Sequence, residues 1–236
     1  MYIWRNTTTR INEGFMHTTL KAGLAAAAFL FIGSAHASTI KIETASTTFG
    51  GTFADAASYK AAVDSALTAS DSAGYGSATV DSYNAISNHS LFGAYGDMAF
   101  KSTVSFGASE SGIWQFRSGV DFSQGGAIFV DGTALDFNSH DMWWAGSYNN
   151  TTQIFDVSLN LAAGNHVLNI YGFERCCDGD QQAQFKAPSS SAFTTFSSTD
   201  GLNAVAAVPE PETYAMLLAG LGLIGFTASR RKLVNK

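Results

Sequence analysis

The stretch GIWQFRSGVDFSQGGAIFVDG, residues 112–132, decides the fold class. Trp114 and Phe116 are two residues apart, so a strand over residues 113–117 holds both rings on one face. Residues 127–130 form a second apolar run, Asp131-Gly132 is a turn pair that accepts left-handed backbone, and residues 133–137 resume the run. Two runs joined by Asp-Gly predict a hairpin.

Outward from there the pattern repeats. Residues 154–161 alternate as a strand, Ala163-Gly164-Asn165 turns the chain into another over 166–173, and 182–186 and 193–196 complete the series. Upstream, residues 39–42 read as a strand. Residues 52–67 place Phe53, Ala56, Ala57, Lys60, Ala61, Val63 and Leu67 at helical spacing, with Thr52 as N-cap and Asp55 three residues on. Residues 69–76 read as a Ser/Ala/Gly linker and 84–97 as loop. One helix among many short strands predicts a mainly β fold, an antiparallel two-sheet sandwich, rather than a parallel α/β fold. No internal repeat of useful length is visible.

Both ends carry targeting patterns. From Met16 the chain reads MHTTLKAGLAAAAFLFIGSAHAS: His17 and Lys21 precede an apolar stretch over 22–32, and Ala35-His36-Ala37 supplies the small residues of a cleavage site. This is a secretory signal peptide, which puts the mature start at Ser38 and points to Met16 as the true start of translation. At the other end, VPEPETYAMLLAGLGLIGFTASRRKLVNK sets the triplet Pro209, Glu210, Pro211 before an uncharged apolar run over 214–228 and the basic cluster Arg230, Arg231, Lys232. Proline makes the triplet stiff and extended. Residues 212–229 are just long enough to cross a thin bilayer, with the basic end cytoplasmic. The alternative is a buried amphipathic C-terminal helix. The chain thus divides into 1–37, an exported domain over 38–208, and a tail over 209–236.

In the exported domain six Lys and Arg face sixteen Asp and Glu, a net charge near −10. Without Lys/Arg clusters it lacks what a phosphate backbone requires, which excludes nucleic acid as a partner. The two cysteines, Cys176 and Cys177, are adjacent, so no long-loop disulfide staples the fold. In an exported protein they point to a strained vicinal disulfide, to intermolecular or redox chemistry, or to metal or catalytic use. His89, His140 and His166 form no recognisable arrangement with them.

Two further features carry candidate chemistry. Asp121, Asp131, Glu174, Asp178 and Asp180 supply hard oxygens suited to calcium if their turns meet; otherwise Asp131 serves its hairpin and the rest are solvated. Trp143 and Trp144, followed by Tyr148, cannot both enter one core if the segment is extended, because neighbouring side chains point to opposite faces. Either both serve packing or one contacts a sugar or partner. The Asn-x-Ser/Thr triplets at Asn88, Asn149 and Asn150 do not decide between these.

The triplet, span and basic end closely resemble the C-terminal sorting tail of the PEP-CTERM family of bacterial surface proteins. That resemblance implies processing by an exosortase-type enzyme, transient anchoring by the tail, and release to the cell surface or a biofilm matrix. Residues 112–132 and AGNHVLNIYGFE at 163–174 resemble the lectin-like β-sandwich first recognised in anthrax protective antigen. Calcium-binding members of that family place two consecutive aspartates in a strand-connecting loop; here Val120-Asp121-Phe122 stands in that place, one aspartate short. The GG.IFVDG, MWWAG and CCDG elements together resemble a PEP-CTERM subgroup marked by a Cys-Cys-x-Gly motif. Two functions follow: a non-enzymatic surface protein that binds extracellular polysaccharide, or a secreted hydrolase, which would need paired carboxylates that no spacing here identifies.

Overall fold

The computed structural model describes residues 37–48, 51–69, 72–175, 178–204, 216 and 218–221. In chain order, β1 (Thr39–Ser46) is followed by helix α1 (Ala56–Ala69), β2 (Ser77–Val80), helix α2 (Asn88–Phe92) and β3 (Met98–Ala108). Then come β4 (Gly112–Gly119), β5 (Asp121–Phe122), β6 (Gly126–Val130), β7 (Thr133–Asn138) and β8 (Met142–Trp143). A 3₁₀ turn (Thr151–Gln153) leads to β9 (Ile154–Leu161), β10 (Gly164–Glu174), β11 (Gln182–Lys186) and β12 (Thr194–Thr195).

These strands make a six-stranded sheet, β2-β1-β3-β10-β6-β7, a four-stranded sheet, β12-β11-β4-β9, and a two-stranded ribbon, β5-β8. Every pairing among them is antiparallel. The two larger sheets face each other across one core. Ile40, Ile42, Phe100, Val104 and Phe106 of the larger sheet meet Trp114, Phe116, Phe185 and Phe196, which lie on or beside the smaller one. Phe106 sits 5.6 Å from the Phe116 ring and 6.1 Å from Trp114, separations at which aromatic pairs attract.

The expected hairpin is β6–β7: Val130 pairs with Thr133, and Asp131 and Gly132 take φ of 50° and 77°. Both positive values suit a primed turn, which only such residues adopt cheaply. All five residues of β6 are buried because both faces are covered. Ile128 and Val130 face the inter-sheet core, while Ala127 and Phe129 face a second cluster under α1 with Tyr59, Val63, Tyr171 and Phe173. The Tyr59 hydroxyl pins the helix, accepting from Phe173 N at 2.7 Å and donating to Gly125 O.

The structure corrects two local expectations and adds one strand. The helix cap is Asp55, not Thr52: its carboxylate accepts from Ser58 N at 2.7 Å, and the Ser58 hydroxyl answers Asp55 N at 3.3 Å. Phe53, two residues before the cap, is drawn onto Tyr59, with ring centres 4.6 Å apart, so the chain enters the helix one turn later. The stretch 84–97 is not wholly loop, since Ser87 caps α2 through a capping box and Gly93 closes it at φ 94°. Residues 77–80, beyond the expected linker, form β2 on the sheet edge.

The expected signal segment and most of the expected tail span lie outside the described residues. Among the described residues no helix is long and apolar enough to cross a membrane.

Candidate functional site

One end of the sandwich gathers most of the singled-out residues. The β5–β8 ribbon pairs Asp121 with Trp143 and Phe122 with Met142. Phe122 and Met142 are fully buried, so alternation turns Trp143 outward, where 64% of it is exposed. Its backbone N–H is held by the Gln153 side chain.

Trp144 goes the other way. Its backbone N–H donates to Val120 O at 2.9 Å, and its ring lies against Gly119, where an added Cβ would come within 2.1 Å of the ring. Glycine at 119 is what makes room for the indole. The Trp144 ring lies 5.4 Å from Tyr148. Arg117 in turn lies between Tyr148 and Phe193, 3.9 Å from each ring centre, and its Nε donates to Gln184 Oε1 at 2.7 Å. The Tyr148 hydroxyl lies 3.1 Å from Gln182 Oε1. Tyr148 is therefore mainly a support for Trp144, and burial pushes its phenol up to about 12.

The two tryptophans line separate clefts. One of about 320 Å³ is lined by Asp141, Trp143, Ala145, Ser147, Asn150 and Gln153. The other, about 300 Å³, is lined by Asn84, Ala85, Trp144, Ala145, Gly146 and Asp180. They share Ala145. Each combines an indole with a single carboxylate and with side-chain amides, Asn150 and Gln153 in the first and Asn84 in the second, the mix of apolar face and hydrogen-bonding edge that suits a sugar ring. Sequence reasoning missed Gln153, Asn84 and Asp141 here; nothing local marks them, and only the folding of residues 139–153 over the sheet end brings them to the tryptophans.

The five acids do not come together. Asp131 belongs to the opposite end of the sheet, where its carboxylate accepts from Val167 N at 2.9 Å and meets His166 Nδ1 at 2.6 Å. Glu174 lies seven residues further along the same strand, more than about 20 Å away. Of the rest, each of three is engaged with backbone amides. Asp121 Oδ2 accepts from Gly179 N at 2.6 Å, in a space so tight that a Cβ on Gly179 would lie 2.3 Å from it. Asp178 accepts from Asn88 N at 2.8 Å and from His89 N, satisfying the first turn of α2. Glu174 accepts from Ser123 N at 2.6 Å and Arg175 N at 2.9 Å. Asp180 is exposed on the second cleft.

Burial raises the Asp121 and Asp178 carboxyls above their ordinary range. The amide donors oppose this, while Asp141 and Asp178 add to it at Asp121, and Asp180 at Asp178. Among the described residues no group of three or more His, Cys, Asp or Glu is arranged to hold a metal. Within the described residues, Asp131 stands apart from the other four acids, and Asp121, Asp178 and Glu174 each commit carboxylate oxygens to backbone amides. His89 stacks on Tyr95 with ring centres 3.8 Å apart, and His140 meets Thr152 O at 2.9 Å. Cys176 and Cys177 lie outside the described residues.

The tail carries the PEP-CTERM protein-sorting motif. The family model matches residues 207–232, which include Pro209, Glu210, Pro211, Arg230, Arg231 and Lys232, and it marks the chain as an exported protein whose tail is read by an exosortase. No curated protein matches the sequence. Among solved structures, the PA14 sugar-binding domain from an RTX adhesin is similar at 14% identity and a TM-score of 0.47, covering 71% of this chain and 98% of its own. The PA14 domain of the antifreeze protein MpAFP follows at 11% identity and a TM-score of 0.45, covering 72% and 93%. The Epithelial Adhesin 9 A domain from Candida glabrata, in complex with Galβ1-3GlcNAc, gives 10% and 0.44, covering 67% and 86%. At such scores the clefts have to be judged on this chain's own residues.

Proposed function

We propose that this is an exported, non-enzymatic surface or extracellular-matrix protein that binds polysaccharide at the edge formed by residues 139–153. In this reading residues 1–37 are removed, 38–208 are the working domain, and 209–236 anchor the precursor in the inner membrane, basic end inward, until the exosortase acts. The single observation that carries the binding reading is Trp143, a large aromatic turned outward beside Asp141, Asn150 and Gln153 rather than into the core. An outward indole in a cleft that also offers amide and carboxylate groups presents a flat apolar face with hydrogen-bonding edges, which is what a sugar ring stacks on.

The hydrolase alternative is not supported. Glycoside hydrolysis needs two carboxylates facing each other across the scissile bond, and each cleft has one acid in its lining. Binding is expected to need no calcium, since each cleft has a single acid in its lining and Asp121, Asp178 and Glu174 serve backbone amides. The discriminating experiment is a glycan array on the exported protein, paired with a reducing-sugar assay on every glycan retained. Retention without turnover is the expected result; release of reducing sugar that disappears on replacing Asp141 and Asp180 would establish a hydrolase instead.

A further inference from the structure

The opposite end of the sandwich carries a different device. Ser38, the residue after the Ala35-His36-Ala37 cleavage pattern, is only 3% exposed. Its backbone nitrogen lies 3.3 Å from Asp200 Oδ1. The next residue, Thr39, is already paired with Ser105 in the six-stranded sheet. Asp200 is not an ordinary loop acid: Oδ1 also accepts from Leu202 N at 3.0 Å, and Oδ2 accepts from Ser197 N at 3.0 Å. The stretch that Asp200 organises is fixed to the sheet by Ser198 N donating to Asp81 O at 2.8 Å and Gly107 N donating to Leu202 O at 3.1 Å. One carboxylate thus ties the first residue of the exported domain to its last described loop, upstream of the sorting tail.

Resting on the removal of residues 1–37 proposed above, which needs accessible chain and so precedes closure of the sandwich, we propose that the α-ammonium released at Ser38 is captured by Asp200. A processing protease binds its substrate as accessible extended chain, and in the folded domain the residue on the leaving-amine side of this bond is buried and hydrogen-bonded. The cut is therefore made on the translocating chain, by a protease of the signal-peptidase class. Water is the co-reactant: hydrolysis leaves a carboxylate on Ala37 and an amine on Ser38, which takes up a proton from solvent.

In the uncut chain Ser38 offers Asp200 one neutral N–H. After the cut it offers a positive group with three donors, and a neutral hydrogen bond becomes a charge-assisted one. Processing at the front of the domain thereby tightens the loop at its back. The nearby His166 is committed elsewhere, with Nδ1 at 2.6 Å from Asp131 and Nε2 at 2.9 Å from Ala162 O, so it does not compete for Asp200.

The experiment uses the exported protein recovered after processing, probed by reductive methylation at neutral pH with the Ser38 peptide followed by mass spectrometry. A carboxylate partner that raises an amine by one pKa unit lowers its reactive free-base fraction about tenfold. The Ser38 amine is expected to react about tenfold more slowly in the native protein than in urea, and Asp200→Asn is expected to abolish most of that protection. Equal native and urea rates in the wild-type protein, or an amino terminus elsewhere, would overturn the capture, and neither result depends on whether the variant folds. Purified full-length precursor should be cut by signal peptidase at 37–38 only when unfolded; equal cutting of the folded precursor would overturn the order of events.

Discussion

The β3–β10 pair and the loop over residues 139–153 hold themselves together in opposite ways. β3 and β10 are in register from Gly164↔Ala108 to Glu174↔Met98, and Phe100, Val104, Leu168 and Ile170, which face the core, are at most 1% exposed. The loop has a two-residue ribbon, a few contacts such as Gln153 to Trp143 N and Tyr148 to Gln182, and an indole in solvent. In the strand pair, stability is spread over a ladder and a core that no single side chain outside it can undo. The loop is fastened at a few points, so its outward residues are available for contact without weakening the frame. A sandwich end of this kind separates folding from recognition.

Substitutions on either side of that divide should behave differently, and the largest effect belongs to the frame. Phe100→Ala removes a fully buried ring that packs 5.4 Å from Phe122, and is expected to cost about 3–5 kcal/mol in urea unfolding. A cost under about 1 kcal/mol would mean that the core is not where the stability lies. Gly119→Ala falls on the boundary, since the new methyl meets the Trp144 ring. It should cost about 1–3 kcal/mol and shift tryptophan fluorescence. Trp143→Ala, on the loop side, should leave stability within about 0.5 kcal/mol while weakening glycan retention.

The smallest effect concerns Asp121. Because burial raises its carboxyl in the folded state, its stabilising contribution is fully present below the ordinary Asp range and is lost as pH rises through the raised value. Asp121→Asn keeps an acceptor for Gly179 N and removes that loss. It should be neutral or slightly stabilising at pH 7 and flatten the stability profile on the acid side. Calorimetric titration of the wild-type protein with calcium should be silent at millimolar concentration. A saturable heat, abolished in the Asn variant, would restore the metal reading.

How far each feature was legible depends on the distance over which its cause acts. Asp131-Gly132 announced the hairpin because the turn needs two adjacent residues at positive φ, a purely local demand. Strands such as β9 and β11 were legible from alternation alone. Helix α2 was not, because part of its N-terminal support comes from Asp178, ninety positions from Asn88. The acids looked like one set because Asp131 and Glu174 are both turn-proximal, yet they stand at opposite ends of β10, and a sequence does not show which end of a strand a turn occupies until the register is known. Neighbouring tryptophans could be read as facing opposite ways, but which one faces water was decided by Gly119, whose missing side chain admits Trp144.

The most direct test of a calcium-independent aromatic edge is affinity electrophoresis through gels containing laminarin, xylan, galactomannan or carboxymethyl-cellulose, run with and without EDTA. The wild-type protein should be retarded by at least one of these, equally in both conditions. Trp143→Ala should bind that polysaccharide at least about tenfold more weakly, equivalent to about 1.4 kcal/mol, at an unchanged urea midpoint. Undiminished retention of Trp143→Ala, or retention that vanishes with EDTA, would contradict the account.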